Sequence, residues 1–169
     1  RGNGKEKIMT DRSKSIENLQ TALAMELTAV NQYLLHAHTL EDWGLDKLAQ
    51  RMRTEMQEEL GHAGQFIERI MFLGGTPELT PTKTPKMATT LKQVFEADKA
   101  EEKGAIDFYS KAARDASDSN DIGTRTLFET IVLDEEGHWD WLDRQLGTLE
   151  RMGEPAFMSI YMSGDSSDA

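Results

Sequence analysis

Apolar residues recur three and four positions apart along almost the whole chain, and the pattern breaks only at glycine- and proline-bearing stretches. That period places the apolar positions on one side of an α-helix. Four long helices are predicted: Ser13 or Ser15 to Trp43, with either serine as the cap; Leu45 to Leu73; Thr89 to Ala116; and Asp121 to Met152. Gly44 divides the first two. Gly74-Gly75 ends the second, where glycine accepts a left-handed backbone. Residues 76–87, with three of the four prolines, form a long connection, and residues 117–121 a polar turn. Gly153-Glu154-Pro155 opens a short segment, Ala156 to Met162, which is too short to be stable alone and is expected to bury itself against neighbouring subunits. Residues 1–12 read as a flexible N-terminal extension and 163–169 as a polar tail, leaving one domain over 13–162.

Helices of about 28 to 32 residues span about 42 to 48 Å at 1.5 Å per residue. Short turns make the first pair antiparallel and likewise the second. The long connection runs the length of the molecule between the pairs. The expected fold is therefore all-α, an antiparallel four-helix bundle with one long crossover and a short fifth helix.

The inward stripes carry residues that do not belong in an apolar core. The first reads Leu19, Leu23, Glu26, Val30, Tyr33, Ala37. The second reads Leu48, Met52, Glu55 or Met56, Glu59, His62 or Ala63, Phe66, Ile70. The third reads Leu91, Val94, Asp98, Glu102, Ala105, Tyr109, and the fourth Leu127, Ile131, Glu135, His138, Leu142, Leu146. A lone ionised carboxylate at mid-stripe costs several kcal/mol unless it is paired, hydrogen-bonded or metal-bound. No lysine or arginine occupies a stripe position to pair with it.

The intruding residues repeat. The interval from Glu26 to the start of Glu59-Leu60-Gly61-His62 equals that from Glu102 to the start of Glu135-Glu136-Gly137-His138. One constant shift along the chain therefore carries Glu26 onto Glu102, Glu59 onto Glu135 and His62 onto His138. Residues three apart share a helix face, so each Glu-x-x-His aims a carboxylate and an imidazole at one point. One glutamate from each of two helices, with a Glu-x-x-His from each of the other two, is the ligand set of a di-iron carboxylate bundle. Two divalent irons balance four carboxylates. Oxygen and nitrogen donors without sulfur suit iron or manganese, with zinc a competitor.

Composition narrows the alternatives. With no cysteine among 169 residues, disulfides, iron–sulfur clusters and thiolate zinc sites are excluded, and a cytoplasmic, reducing compartment fits. The net charge of −11, from 30 acidic and 19 basic residues, makes nucleic acid and anionic membranes poor partners. No apolar run approaches a membrane span, and no secretory signal pattern opens the sequence.

At these residues the chain resembles a bacterioferritin. The likeness includes Asn31-Gln32-Tyr33, Asp42-Trp43-Gly44-Leu45, His62-Ala63, Ile67-Glu68-Arg69-Ile70 and Asp134-Glu135-Glu136-Gly137-His138, and extends from about Met9 to near Tyr161. The resemblance implies a ferritin-like bundle in a hollow homo-oligomer of 24 subunits. Such a shell stores iron and detoxifies it by oxidising Fe2+ with O2 or H2O2. It implies two Fe per subunit, with Glu59 and Glu135 bridging, Glu26 and His62 on one iron, and Glu102 and His138 on the other. Tyr33 matches a family tyrosine implicated in supplying an electron; its alternative is packing, with the hydroxyl bonded to a ligand carboxylate. A ferredoxin-type reductant for iron release is also implied.

Position 60 departs from the family. Haem-binding members hold a methionine there whose thioether ligates a haem shared by two subunits, and Leu60 has no donor atom. A bis-methionine haem is therefore not expected in a homomeric shell, although a sister subunit carrying the methionine leaves a mixed shell open. Met52 and Met56 read as core or interface packing. At an inner-surface iron site of some members, Thr54 stands for a histidine and Glu58 for an aspartate, so Glu55 and Glu58 read as a solvated face. His36 and His38 read as interface or surface histidines, and Trp43, Trp139 and Trp141 as helix-end and core anchors, with a lesser redox alternative for Trp141. Alternative functions on the same ligands are a di-iron or di-manganese peroxidase or catalase, and a structural subunit of a mixed shell.

Overall fold

The computed structural model describes residues 12–162, as five α-helices: α1 Ser13–Asp42, α2 Asp46–Phe72, α3 Leu91–Asp118, α4 Ile122–Met152 and α5 Glu154–Tyr161. Each end lies within two residues of its expected position. Residues 1–11 of the expected extension, and the expected tail at 163–169, lie outside the described residues.

Local chemistry sets the helix ends. Asp121 caps α4 by accepting from Thr124 N at 3.3 Å. Thr90 caps α3 by accepting from Gln93 N at 3.1 Å, and Gln93 accepts from Thr89 N in return, so this helix starts two residues later than its pattern suggested. Neither serine caps α1. Its N-cap is Arg12, which makes no side-chain capping bond. Ser15 is instead buried beside Asp121, while Arg12 reaches the α3–α4 turn and donates to the Ser119 carbonyl at 3.3 Å. Gly44 and Gly74 follow α1 and α2 at φ of 77° and 85°, a backbone region costly for residues with a Cβ.

α1 packs along α2 and α3 along α4, and the pairs meet chiefly through α1 and α3. The connection from residue 73 to 90 is pegged lengthwise on the bundle. Gln20 clamps the Glu78 backbone through both its amide atoms, Thr28 accepts from Thr82 N at 2.8 Å, and Lys83 pairs with Glu101. From Gln20 to Thr28 is about 12 Å along α1, so the segment runs with the helix axis as a crossover requires.

The buried core divides into two apolar clusters. One contains Leu40, Leu48, Met52, Phe95, Leu142 and Phe157; the other contains Leu19, Leu23, Phe66, Tyr109, Phe128 and Ile131. Between them lies a buried layer of Glu26, Glu59, Glu102 and Glu135. Each fully buried Leu or Phe contributes about 1.5–3 kcal/mol, which lets the bundle tolerate a polar layer at its middle.

α5 is anchored on its own bundle through Phe157, which is buried edge-on against Phe95 with ring centres 5.8 Å apart, while Ile160 and Met162 are about half exposed. Two expectations are overturned by the packing. Trp43 and Trp141 pack against the core, but Trp139 lies at the rim under the Lys99 ammonium, 4.7 Å from its ring centre. His36 is not a surface residue. It is buried with Nδ1 2.8 Å from Asp98 Oδ1, which also accepts from Gln32 Nε2 at 2.8 Å, because a buried aspartate on α3 needs donors from α1. His38 is exposed, as expected, beside Glu41. No helix among the described residues is long and apolar enough to cross a membrane.

Candidate metal centre

Six side chains from four helices meet in the layer between the clusters. α1 supplies Glu26, α2 Glu59 and His62, α3 Glu102, and α4 Glu135 and His138; none is more than 6% exposed. Their donor atoms form two overlapping groups, each within 4.8 Å: Glu26, Glu59, His62 and Glu135, and Glu59, Glu102, Glu135 and His138. Glu59 and Glu135 belong to both. His62 Nδ1 lies 2.9 Å from Glu135, 3.5 Å from Glu59 and 3.8 Å from Glu26. His138 Nδ1 lies 3.0 Å from Glu59, 3.5 Å from Glu135 and 3.6 Å from Glu102. The two arrangements are related by the constant shift already present in the sequence.

Both Nδ1 atoms, with Glu59 Oε1 and Glu135 Oε1, are buried without an aligned hydrogen bond. Ligand atoms about 3 Å apart are what a single ion holds around itself at bonds of about 2.0–2.2 Å. The residues therefore fit a pair of divalent ions with oxygen and nitrogen ligands, such as ferrous iron.

Outer contacts fix the imidazoles. His62 Nε2 lies 3.2 Å from Asp134 Oδ2, and His138 Nε2 lies 2.7 Å from Glu58 and 2.8 Å from Glu55. These contacts hold Nδ1 as the inward nitrogen of both rings. Asp134 and Glu58 each precede a candidate bridging glutamate, and the shift that relates the ligands relates them as well. That matched acidic position was the signal for a role the stripe pattern does not reveal. The solvated-face reading is corrected for Glu55, which is 2% exposed and paired with Arg51; Glu58 does remain half exposed. The Arg51 guanidinium in turn lies over Trp141, 4.5 Å from its ring centre.

Crowded carboxylates settle their charge by sharing protons. Burial, then the neighbouring charge of Glu59, pushes Glu26 well above the usual carboxyl range; burial, then a hydrogen bond with Glu135, does the same to Glu102. Burial also opposes ionisation of Glu59 and Glu135, but hydrogen bonds from Glu26 and Glu102 respectively, and from both histidines, outweigh it and hold these two down. For His62 and His138 burial favours the neutral ring, yet the surrounding carboxylates prevail and raise both. Without metal, then, the shifts favour retained protons on Glu26, Glu102 and both imidazoles and ionised Glu59 and Glu135.

A tyrosine flanks each side. Tyr33 on α1 donates to Glu102 Oε1, and Tyr109 on α3 donates to Glu26 Oε1 at 2.6 Å, so each phenol reaches the lone glutamate of the other half. Burial, then those glutamates, keeps both phenols protonated. In its stripe Tyr109 reads only as an inward residue; its place as the counterpart of Tyr33 under the same shift is the signal for more. A narrow gap lined by Met25, Ala29, Glu101, Ala105 and Tyr109 reaches Glu26, Glu59, Glu102 and Glu135.

The other named positions lie apart. Leu60 is half exposed on α2, Met52 is buried in the core with Met56 partly buried against it, and Thr54 is exposed with its hydroxyl bonded to the Gln50 carbonyl.

Comparison with known proteins bears on the whole chain. A family model described as a ferritin-like domain matches residues 16–152. Bacterioferritin of Rhodobacter capsulatus is 39% identical over 149 residues, spanning 88% of this chain and 92% of the relative; that of Brucella melitensis biotype 1 matches to the same extent. A bacterial ferritin of Synechocystis sp. is 34% identical over 92% of this chain and 100% of its own. Among solved structures, the 2.6 Å structure of Rhodobacter capsulatus bacterioferritin, described as having a metal-free dinuclear site and a haem iron, superposes with a TM-score of 0.89. It is 37% identical and covers 92% of this chain and 97% of its own.

Proposed function

Since the chain belongs to the ferritin-like domain family and, within it, to the bacterioferritins, we propose that it stores iron and is a ferroxidase, with ferrous iron as its substrate. The observation that carries this reading is the buried layer of four carboxylates and two imidazoles, in which both Nδ1 atoms and one oxygen each of Glu59 and Glu135 lack an aligned partner. In this reading Glu26 and His62 hold one ferrous ion, Glu102 and His138 the other, and Glu59 and Glu135 bridge both. Two ferrous ions give up two electrons and are held together as they oxidise: O2 with two protons becomes H2O2, or H2O2 with two protons becomes two waters. The carboxylates balance the charge gained by iron, and the outer contacts of Asp134 and Glu58 keep the imidazoles in place meanwhile. Tyr33, bonded to Glu102, would supply a further electron by returning one ferric ion to the ferrous state, its phenol losing one electron to the iron and one proton to solvent by way of Glu102.

The reading extends to a cytoplasmic shell of 24 subunits in which the ferric product is deposited, with a ferredoxin-type reductant for its release. A haem between two copies of this chain lacks a thioether at position 60, so haem enters only through a sister subunit in a mixed shell.

The test is aerobic loading with ferrous iron far above two per subunit, followed by size-exclusion chromatography of iron and protein together. Ferric iron should elute inside a particle near 24 subunits. Retention of only two irons per subunit, with the rest precipitated, would replace storage with a di-iron peroxidase or an incomplete shell component. Glu59→Ala and Glu135→Ala should each abolish rapid oxidation and leave the particle size unchanged. Wild-type kinetics in both variants would remove the ligand assignment.

A further inference from the structure

The proposed ferroxidase reading uses one tyrosine, while the structure places two in equivalent positions. The shift that carries Tyr33 onto Tyr109 is the one that relates Glu26 to Glu102, Glu59 to Glu135 and His62 to His138. Both are fully buried or nearly so, and each donates its only hydroxyl hydrogen bond to a lone glutamate of the opposite half. A core tyrosine needs some acceptor, but the repeat gives both phenols the same kind of acceptor, a candidate iron ligand.

We propose that Tyr109 is a second electron donor at this centre, so that two phenols and two ferrous ions together supply the four electrons that reduce dioxygen to water. The inference rests on the ferroxidase reading. Its balance is complete: O2, two Fe2+, two tyrosines and two protons from solvent give two Fe3+, two tyrosyl radicals and two waters. The O–O bond breaks, four O–H bonds form, and each phenol loses one electron and one proton. The proton of Tyr109 leaves through Glu26 Oε1, 2.6 Å away, and that of Tyr33 through Glu102.

The surroundings of Tyr109 suit this role. Phe66, Phe128 and Phe108 stand around it with ring centres at 5.5, 5.7 and 6.2 Å, a shell without exchangeable protons that keeps solvent from a radical. The same ring lines the narrow gap reaching four of the six candidate ligands. The third tyrosine, Tyr161, is bonded to Gln145 and packs with the opposite apolar cluster.

The experiment is rapid freeze-quench electron paramagnetic resonance on the whole assembled protein. Wild type, Tyr33→Phe, Tyr109→Phe and the double variant are loaded anaerobically with two ferrous ions per subunit, the single variants also receiving a third ferrous ion in place of the electron of the missing phenol, and mixed with O2. Parallel samples carry ring-deuterated tyrosine, and released H2O2 is assayed. Visible spectroscopy with Co2+ checks that the unloaded variants still bind two ions per subunit. Tyr33→Phe should retain a radical whose lines narrow on ring deuteration, and the double variant should lose it and release one H2O2 for each pair of ferrous ions oxidised. Should the double variant bind metal poorly, the deuterium narrowing in Tyr33→Phe carries the assignment alone, since Tyr109 is intact there. Full iron oxidation by Tyr33→Phe with no tyrosyl signal, and with H2O2 release equal to the double variant, would overturn the donor role. Wild-type protein that leaves ferrous iron unoxidised would instead overturn the ferroxidase reading, and the donor role with it.

Discussion

Loading the metal-free centre with a redox-inert divalent ion is expected to release four protons for each pair of ions. Glu26 and Glu102 are raised and keep their protons near neutral pH, as do the raised His62 and His138, while the lowered Glu59 and Glu135 are already ionised. The layer is thus neutral before loading, with two carboxylates against two imidazolium rings. It is neutral afterwards too, with four carboxylates, two neutral imidazoles and two doubly charged ions. Every retained proton must leave for its atom to become a ligand. The binding constant for the pair should therefore rise about 10^4-fold per pH unit, or about 100-fold per ion, across the neutral range. The assay is anaerobic titration with Zn2+ or Co2+ in a weakly buffered indicator solution, repeated calorimetrically in two buffers of different ionisation enthalpy. Glu26→Gln should reduce the release to three. The same groups set how stability varies with pH. Above pH about 6.5 unfolded histidines are neutral while the folded ones still hold protons, so the metal-free protein should lose stability as pH rises, and the loaded protein should not share that loss. Release of one proton or none, or metal affinity independent of pH, would refute the charge assignment.

Four further perturbations test the packing around the centre. Phe95→Ala removes the ring held between Trp141 and Phe157 and should cost about 3–5 kcal/mol while freeing α5, read by urea unfolding and by proteolysis at the C-terminal segment. Gly123→Ala places a Cβ 2.6–2.9 Å from the Arg69 guanidinium, which Asp121 and Thr124 hold at 2.7 and 3.0 Å; displacing it should cost about 1–3 kcal/mol, seen in the same unfolding assay. Asp98→Ala orphans the buried donors of His36 and Gln32 at about 1–3 kcal/mol each, and an unchanged midpoint would show that water replaces the carboxylate. Leu60→Met restores a thioether at a half-exposed site on α2 and should produce haem binding with a bis-thioether spectrum after reconstitution; no spectral change would place the haem surface elsewhere.

What the sequence revealed, and what it did not, divides along physical lines. Helices and candidate ligands were legible because a helical period and an internal repeat are properties of the chain alone. The second helix left Glu55 or Met56 undecided, because both fit a three-or-four spacing around Glu59. The structure decides it from outside α2: His138 of α4 offers a nitrogen 2.8 Å from Glu55, and Arg51 one turn earlier neutralises it, so Glu55 goes in and Met56 to the edge. The serine caps failed for a similar reason. Ser15 has the chemistry of a cap, but its place beside Asp121, on the far side of the sequence, turns it inward. Asp98 was visible as an intruder in its stripe, while its partners His36 and Gln32 lie on α1 and could be matched to it only once the two helices were placed together.

The repeat also shows where the two halves stop being equivalent. The six candidate ligands, the two phenols and the acidic residues before each candidate bridging glutamate all obey the same shift. At several buried positions around them it lapses. Where α2 has Glu55 facing His138, α4 has Ile131 in the second apolar cluster; where α1 has His36, α3 has Ala112; where α3 has Asp98, α1 has Ala22. His138 therefore feels two outer carboxylates with Arg51 behind one of them, and His62 only Asp134. Tyr33 stands near a buried Asp98–His36 pair, and Tyr109 among phenylalanines. A centre whose candidate ligands match and whose surroundings differ has unequal outer shells on its two sides: two carboxylates at His138, one of them neutralised by Arg51, and one carboxylate at His62. The asymmetry lies in residues that touch no candidate ligand site directly or touch it only through an imidazole, which is why the ligand motif alone would describe the two positions as identical.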